Sequence, residues 1–358
     1  MEMLETPIRD ASAWRGEDFQ NSDEWIYEFT ESDLNEFERA LAGVRGRPVE
    51  SLRREDFPLP TFDARIEEFI REIESGRGFL LLRGMPIDSL GEEESIKLYQ
   101  ALCARLGKRV PTETNSELIN SIRDLGPIQD PNARGYAAKT FWEPHTDMPD
   151  IVTLFCLAPG RIGGQSRITS ANTIYNIVLE EHPEWLPILY KEFAVDWMNQ
   201  EPEGCQAWFP QSLYCYVAGW LSCSMRTTWI RKAQRLPDVP RLTAEETECF
   251  HYLEDMPMRP GLTLSMTMRA GDIQVINNYT TMHDRNLWMD AAEDPSHQRH
   301  LLRCWMRRSG IGPRRVSPSY EYVREDYYGF HGLPPAESCR EVLNPVDAFE
   351  PEVRASVA

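Results

Sequence analysis

Nowhere in this chain of 358 residues does an apolar run approach the roughly 18 residues that a membrane-spanning helix needs. The start, Met1-Glu2-Met3-Leu4-Glu5, lacks the basic then apolar pattern of an export signal, so the chain is expected to stay inside the cell, in the cytoplasm. Cys-x-x-Cys is absent, and none of the eight cysteines stands at a zinc-ribbon spacing, so most read as reduced packing residues. There is no Gly-x-Ser-x-Gly elbow and no phosphate-cradling glycine loop, which removes the minimum parts of a serine hydrolase and of a nucleotide-dependent enzyme. No repeat or low-complexity tract appears. No basic stripe offsets a formal net charge of −19, a balance that repels nucleic acid backbones and anionic membranes. What is present, 41% hydrophobic and 10% aromatic residues, supports one substantial core and a small-molecule partner.

Against that background His145-Thr146-Asp147 and His283 stand out. In an extended segment alternate side chains share a face, so His145 and Asp147 can aim at one point while Thr146 turns away. A histidine on a strand returning late in the chain can supply the third ligand. Two imidazoles and one carboxylate form the facial triad of a non-haem Fe(II) site, which leaves three octahedral corners for a bidentate cosubstrate and dioxygen. The same donors bind zinc with a hydrolytic water, and a His-x-Asp triplet in a loop is often no more than a hydrogen-bonded pair. Arg299 and Arg303 lie four apart in an apolar, aromatic segment that reads as a strand. Leu301 lies between them, with His300, Leu302 and Cys304 on the opposite side. Two guanidinium groups on one face suit a carboxylate held in a bidentate grip, or an ion pair with one of the 57 acidic residues.

With these residues in view, the chain resembles the Fe(II)- and 2-oxoglutarate-dependent oxygenases of the taurine dioxygenase type. The likeness runs through Gly78-Phe79-Leu80-Leu81-Leu82-Arg83-Gly84, Leu106-Gly107, Trp142 to Asp147, Gly163-Gly164-Gln165-Ser166, Gly271-Asp272-Ile273 and Arg299 to Arg303. The resemblance implies that His145, Asp147 and His283 bind iron and that Arg299 grips the distal carboxylate of 2-oxoglutarate. It places Ser166 where the family commonly has a cosubstrate-holding threonine. Arg303 matches an arginine that contacts cosubstrate or substrate depending on the member, and Trp142 becomes a candidate substrate contact. Because Asp147 is present where halogenating relatives carry a small residue, halogenation is disfavoured. Hydroxylation of an unactivated C–H bond is the default, with desaturation or ring closure as variants. Fe(II), 2-oxoglutarate and dioxygen are the implied cofactors. The substrate expected is a metabolite, amino-acid-like or a natural-product intermediate. A zinc-type hydrolase and a non-catalytic ligand-binding barrel remain the alternatives.

The expected fold is mixed α/β with a mainly β core, a double-stranded β-helix (jelly roll, cupin-like) flanked by helices. One catalytic domain covers 1–358. It comprises an N-terminal helical buttress over 1–75, a jelly-roll core over 76–170 and 261–310, a helical and aromatic insertion over 172–260 able to act as a lid, and a C-terminal extension over 311–358. Helices are expected from Thr30 to about Ala42, around Ile66, Phe69, Ile70 and Ile73, over Glu92 to Leu106, and over Thr173–Glu181, Thr228–Arg235 and Thr243–Asp255. Strands are expected over Gly78–Arg83, Ile151–Leu157, Leu262–Met268, Asp272–Ile276 and His300–Met306, with 109–140 irregular. The insertion's Trp197, Trp208, Tyr214, Tyr216 and Trp220 suit a pocket wall or packing against the barrel, the second favoured for any one of them. The aromatic tail from Gly310 suits packing on the barrel or a contact between copies of the chain.

Overall fold

The strand Phe79–Arg83 reads as an unbroken apolar run because both of its faces are covered. Leu80 and Leu82 pack outward into a core shared with helices Glu31–Ala42, Phe62–Ser75 and Ile87–Leu106. Phe79 and Leu81 pack inward with Val152, Cys156, Leu301 and Trp305. The computed structural model describes residues 2–52, 54–112, 118–123, 142–199, 201, 207–217, 219–289 and 298–308.

The larger sheet runs in the order Ile26–Glu28, Phe79–Arg83, Ile273–Asn277, Ile151–Ala158, His300–Arg307, Lys108–Val110. Ile119–Ile122 also pairs with His300–Arg307. Among the described residues of this sheet, only the first pair is parallel. A second, antiparallel sheet has the order Thr263–Met266, Ser166–Ser170, Thr281–Arg285, Trp142–His145. Its Ile168, Leu264, Met266 and Met282 meet the inner face of the larger sheet in one apolar cluster. Two facing sheets whose neighbours come from distant parts of the chain make the expected double-stranded β-helix, with helices outside the larger sheet.

The helix Glu31–Ala42 starts at Thr30, whose side chain accepts from the Asp33 N–H, and Asp33 reciprocates in a capping box. Thr243 and Glu246 do the same for Ala244–Asp255. Ile66, Phe69, Ile70 and Ile73 form the buried stripe of Phe62–Ser75 as their spacing predicts. Gly78, at φ +84°, admits the strand beside the segment leading to His283; a Cβ there would sit 2.5 Å from Thr280 Oγ1.

Three regions depart from expectation. The helix expected from Glu92 begins at Ile87, because Gly91 at φ +77° kinks it and masks its first turn in the sequence. Within 109–140, Ile119–Ile122 and the end of Lys108–Val110 are strands; runs of three or four residues interrupted by polar groups carry too little periodicity to read. The insertion holds helices Ala171–Glu181, Leu186–Tyr190, Thr227–Ala233 and Ala244–Asp255, and also two hairpins, Glu192–Asp196 with Trp208–Ser212 and Tyr214–Val217 with Trp220–Cys223. The tail aromatics Tyr320, Tyr322, Tyr327, Tyr328 and Phe330 lie outside the described residues, as do 124–141. Among the described residues no helix is long and apolar enough to cross a membrane.

Candidate metal centre

His145 and His283 occupy directly opposed positions on the antiparallel strands Trp142–His145 and Thr281–Arg285. Register therefore brings their rings to a centroid separation of 4.3 Å. Asp147 follows in the loop, two residues on. Its Oδ1 lies 3.6 Å from His145 Nε2, and its Oδ2 lies 3.6 Å from His283 Nε2. One ligand atom from each of the three residues falls within 4.8 Å of the other two, and all three side chains are buried.

The loop is fixed through its backbone. The Asp147 N–H donates to Asn278 Oδ1 at 2.9 Å, and Asn278 Nδ2 donates back to the carbonyls of Asp147 and Pro149. Arg226 donates to the Asp147 carbonyl at 2.5 Å and to that of Thr146 at 3.4 Å, with a further donation to Gln211 Oε1 at 2.6 Å. On the carboxylate itself, Trp305 Nε1–H donates to Oδ2 at 2.9 Å and Arg303 lies 3.4 Å from the same oxygen.

The electrostatics suit a divalent cation. Burial alone would raise the Asp147 pKa, but Arg303, His145 and His283 outweigh it and hold the carboxyl well below its ordinary range. Burial drives His283 down to about 3, with His145 and Arg303 adding to the effect, so its ring is a neutral donor. His145 Nδ1 sits 2.8 Å from the Glu143 carbonyl oxygen. A proton on Nδ1 meets that acceptor and leaves the Nε2 lone pair facing the other two ligands. An anionic oxygen and two neutral imidazole nitrogens within one ion's reach fit Fe(II) or a similar metal.

The pocket between the sheets holds about 510 Å³ counted out to its mouth, and His145, His283, Ser166, Arg285, Arg299 and Arg303 line it. Arg299, Leu301 and Arg303 share its wall as the strand alternation predicts. His300 turns away to Ser121, while Leu302 and Cys304 enter the helix-side core. Ser166 is buried there and donates to Gln274 Oε1 at 3.0 Å. The side chain of Trp142 lies outside the described residues; its backbone pairs with Arg285. Arg285 is a pocket residue that the sequence reading passed over, although it lies two after His283 and so on the same face of one strand. Burial and the cations of Arg299 and Arg303 push its pKa down to about 9. Asp284, on the opposite parity, pairs with Arg167 at 3.3 Å, and burial raises it to about 6.

A second crevice of about 400 Å³ opens on the insertion side of Asp147. Trp197, Met198, Phe209, Trp229 and Trp305 wall it. Trp229 reaches the centre itself, its ring 5.7 Å from that of His145. Met198 and Asn199 both hold φ at +57°, and Asp196 Oδ1 accepts the Met198 N–H at 2.8 Å. Two consecutive non-glycine residues in the left-handed region are uncommon, and they follow the strand Glu192–Asp196 where Met198 joins the crevice wall. Of the insertion aromatics named from sequence, Trp197 lines this crevice, whereas Tyr214 is core and donates to the Ala171 carbonyl.

The sequence profile of the family described as taurine catabolism dioxygenase TauD, TfdA matches residues 45–305. The chain is 28% identical over 317 residues to the FR-33289 synthase of Streptomyces rubellomurinus, covering 86% of this chain and 92% of that protein. It is 27% identical over 313 residues to the taurine hydroxylase-like protein SAT17 of Stachybotrys chartarum, covering 83% and 78%. Among solved structures it is similar to an asparagine oxygenase in complex with Fe(II), 2S,3S-3-hydroxyasparagine and succinate. That TM-score is 0.61 at 15% identity, covering 81% of this chain and 98% of the other. It is also similar to the non-heme iron oxygenase OrfP in complex with Fe and alpha-ketoglutaric acid, with a TM-score of 0.56 at 14% identity, covering 82% and 99%.

Proposed function

Because the chain belongs to the taurine catabolism dioxygenase TauD, TfdA family, we propose that it is an Fe(II)- and 2-oxoglutarate-dependent dioxygenase that holds iron through His145, Asp147 and His283 and oxidises a C–H bond of a small-molecule metabolite. The observation that carries this reading is the convergence of the three ligand side chains, two of which, His145 and His283, line one pocket with Arg299, Arg303 and Ser166. Iron held by these three residues, with 2-oxoglutarate as cosubstrate, would supply the reduction of dioxygen coupled to decarboxylation and substrate oxidation, with succinate and carbon dioxide as products.

The protein's own part is binding, orientation and charge. Arg299 enters the pocket four residues before Arg303, about 13 Å along an extended strand. It is assigned to the distal carboxylate of 2-oxoglutarate, where a planar fork of donors matches a carboxylate bidentately. Ser166 lies on the facing sheet of the same pocket and is assigned a hydroxyl contact to the cosubstrate. Arg303 stands against Asp147, so it keeps that ligand ionised and lies within reach of an anionic group near the metal. The guanidinium groups of Arg285, Arg299 and Arg303 are buried in the wall of one pocket, where a cation acts more strongly on an anion than it would in solvent.

The substrate's apolar part is assigned to the aromatic crevice beyond Asp147. Its charged walls are already engaged: Asp196 accepts from Arg235 at 3.0 and 3.2 Å, and Arg226 donates to carbonyls and to Gln211. What such a crevice offers a ligand is ring faces and methionine sulfur. The similarity to proteins named as a synthase and as an asparagine oxygenase supports a small metabolite, amino-acid-like or a natural-product intermediate. Hydroxylation is the expected outcome.

The test is anaerobic addition of Fe(II) and then 2-oxoglutarate, read by the visible charge-transfer band of the chelate. A metabolite panel follows, monitored by succinate formation and oxygen uptake. The reading stands if the band forms, shifts with a panel member and that member drives succinate formation. Metal-dependent hydrolysis without oxygen uptake, or ligand binding with no turnover across the panel, would remove it.

A further inference from the structure

The carboxylate of Asp147 is placed almost evenly between the two imidazoles, one oxygen 3.6 Å from each Nε2. A carboxylate so placed can give a metal one oxygen or both. The difference matters, because three single-atom ligands leave three octahedral corners free and a chelating carboxylate leaves two. A bidentate cosubstrate and dioxygen together require three.

We infer that Trp305 is a positioning residue that makes Asp147 a one-oxygen ligand. The inference rests on the metal centre proposed above. Its indole Nε1–H donates to Oδ2 at 2.9 Å, and Arg303 leans on the same oxygen at the longer distance of 3.4 Å. Both come from the strand His300–Arg307, two residues apart and so on one face. An oxygen already holding a charge-assisted hydrogen bond is the poorer candidate for a second metal bond, which leaves Oδ1 as the ligand.

The indole suits this task better than a more versatile group. It is donor only, with no tautomer and no acceptor atom, so it cannot turn to compete for the metal. It is also immobile: the ring is 1% exposed, the Arg303 guanidinium lies 5.0 Å over its face, and its backbone pairs with Val152 on one side and Val110 on the other. A donor that is already in place when the metal arrives costs no reorganisation.

The experiment replaces the N–H alone. 3-Benzothienylalanine at position 305, introduced by nonsense suppression, keeps the bicyclic shape and exchanges N–H for sulfur; Trp305→Phe is the genetically simple companion. Metal-free wild-type and variant proteins are titrated anaerobically with Mn(II), without cosubstrate, and the waters held by the bound ion are counted from the relaxation of solvent protons; a six-coordinate ion keeps three waters beside a one-oxygen Asp147 and two beside a chelating one. Binding of Mn(II) by the benzothienyl protein as tight as in the wild type or tighter, with one water fewer on the ion, supports the inference. With Fe(II) and 2-oxoglutarate, turnover in that protein then falls by about 10- to 100-fold. A water count equal to that of the wild type in the benzothienyl protein overturns the role of Trp305 while leaving the metal centre intact. Absence of Mn(II) binding by the wild-type protein overturns the centre itself, and this inference with it.

Discussion

Replacing Asn278 by alanine should loosen the metal centre without touching a ligand. Its amide is fully buried beneath the ligand loop, where it accepts the Asp147 N–H at 2.9 Å and donates to the carbonyls of Asp147 and Pro149. In Asn278→Ala the Asp147 carbonyl keeps its bond from Arg226, but the Asp147 N–H and the Pro149 carbonyl lose this partner. A buried polar group left unmet costs about 1–3 kcal/mol, so two of them cost about 2–6 kcal/mol. Against all but the low end of the roughly 5–15 kcal/mol total of an ordinary domain, that leaves the variant folded. The loop, however, no longer holds Asp147 from both sides. Affinity for Fe(II) or Co(II) should fall about 10- to 100-fold, the usual effect of removing a residue that orients a ligand. Urea denaturation of the metal-free protein measures the first quantity and a Co(II) titration the second. A stability loss of the expected size with metal affinity changed by less than about twofold would refute the reasoning, because the loop would then be held by Arg226 and the strands alone.

Three further outcomes follow from the same structure. The His283 imidazole titrates near 3 in the folded chain and near 6.5 when unfolded, so between these values only the unfolded chain takes up the proton. Stability of the metal-free protein should therefore decline as pH falls below about 6.5, by about 2 kcal/mol between pH 8 and pH 5, and His283→Gln should flatten that slope; an identical slope in the variant would show that other groups set it. Co(II) at about 100 times its dissociation constant should stabilise the protein by about 2.7 kcal/mol, and Asp147→Ala should abolish the shift in melting temperature. Arg83 donates twice to the fully buried Asp272, at 3.0 and 2.9 Å, across neighbouring strands of the larger sheet. Arg83→Met should cost about 3–5 kcal/mol by stranding that charge, and Arg83→Met with Asp272→Leu should recover most of it; failure of the double variant to recover would place the cost in packing rather than charge.

Much of the core was legible because its strands are covered on both faces and so read as apolar runs, as in Phe79–Arg83 and Ile151–Ala158. Helices with a capping box or a 3.6-residue apolar stripe announced themselves in the same way. The short partners Lys108–Val110 and Ile119–Ile122 did not, since strands of three or four residues exist by virtue of the neighbour they pair with. The hairpins of the insertion were hidden for a related reason: their tryptophans and tyrosines are as compatible with packing as with a pocket wall.

The sequence by itself determined the local facts: that His145 and Asp147 stand two apart, that Arg299 and Arg303 share a face of one strand, and where the apolar runs begin and end. These depend on periods of 2 and 3.6 residues, which act over a few positions of the chain. Only the tertiary structure decided that His283 pairs with His145 138 positions away, that Arg285 joins the other two arginines, and that Trp305, Asn278 and Arg226 converge on the Asp147 loop. Sheet register and the burial of charge are properties of the assembled barrel, set by which strands lie side by side, and no local pattern encodes them.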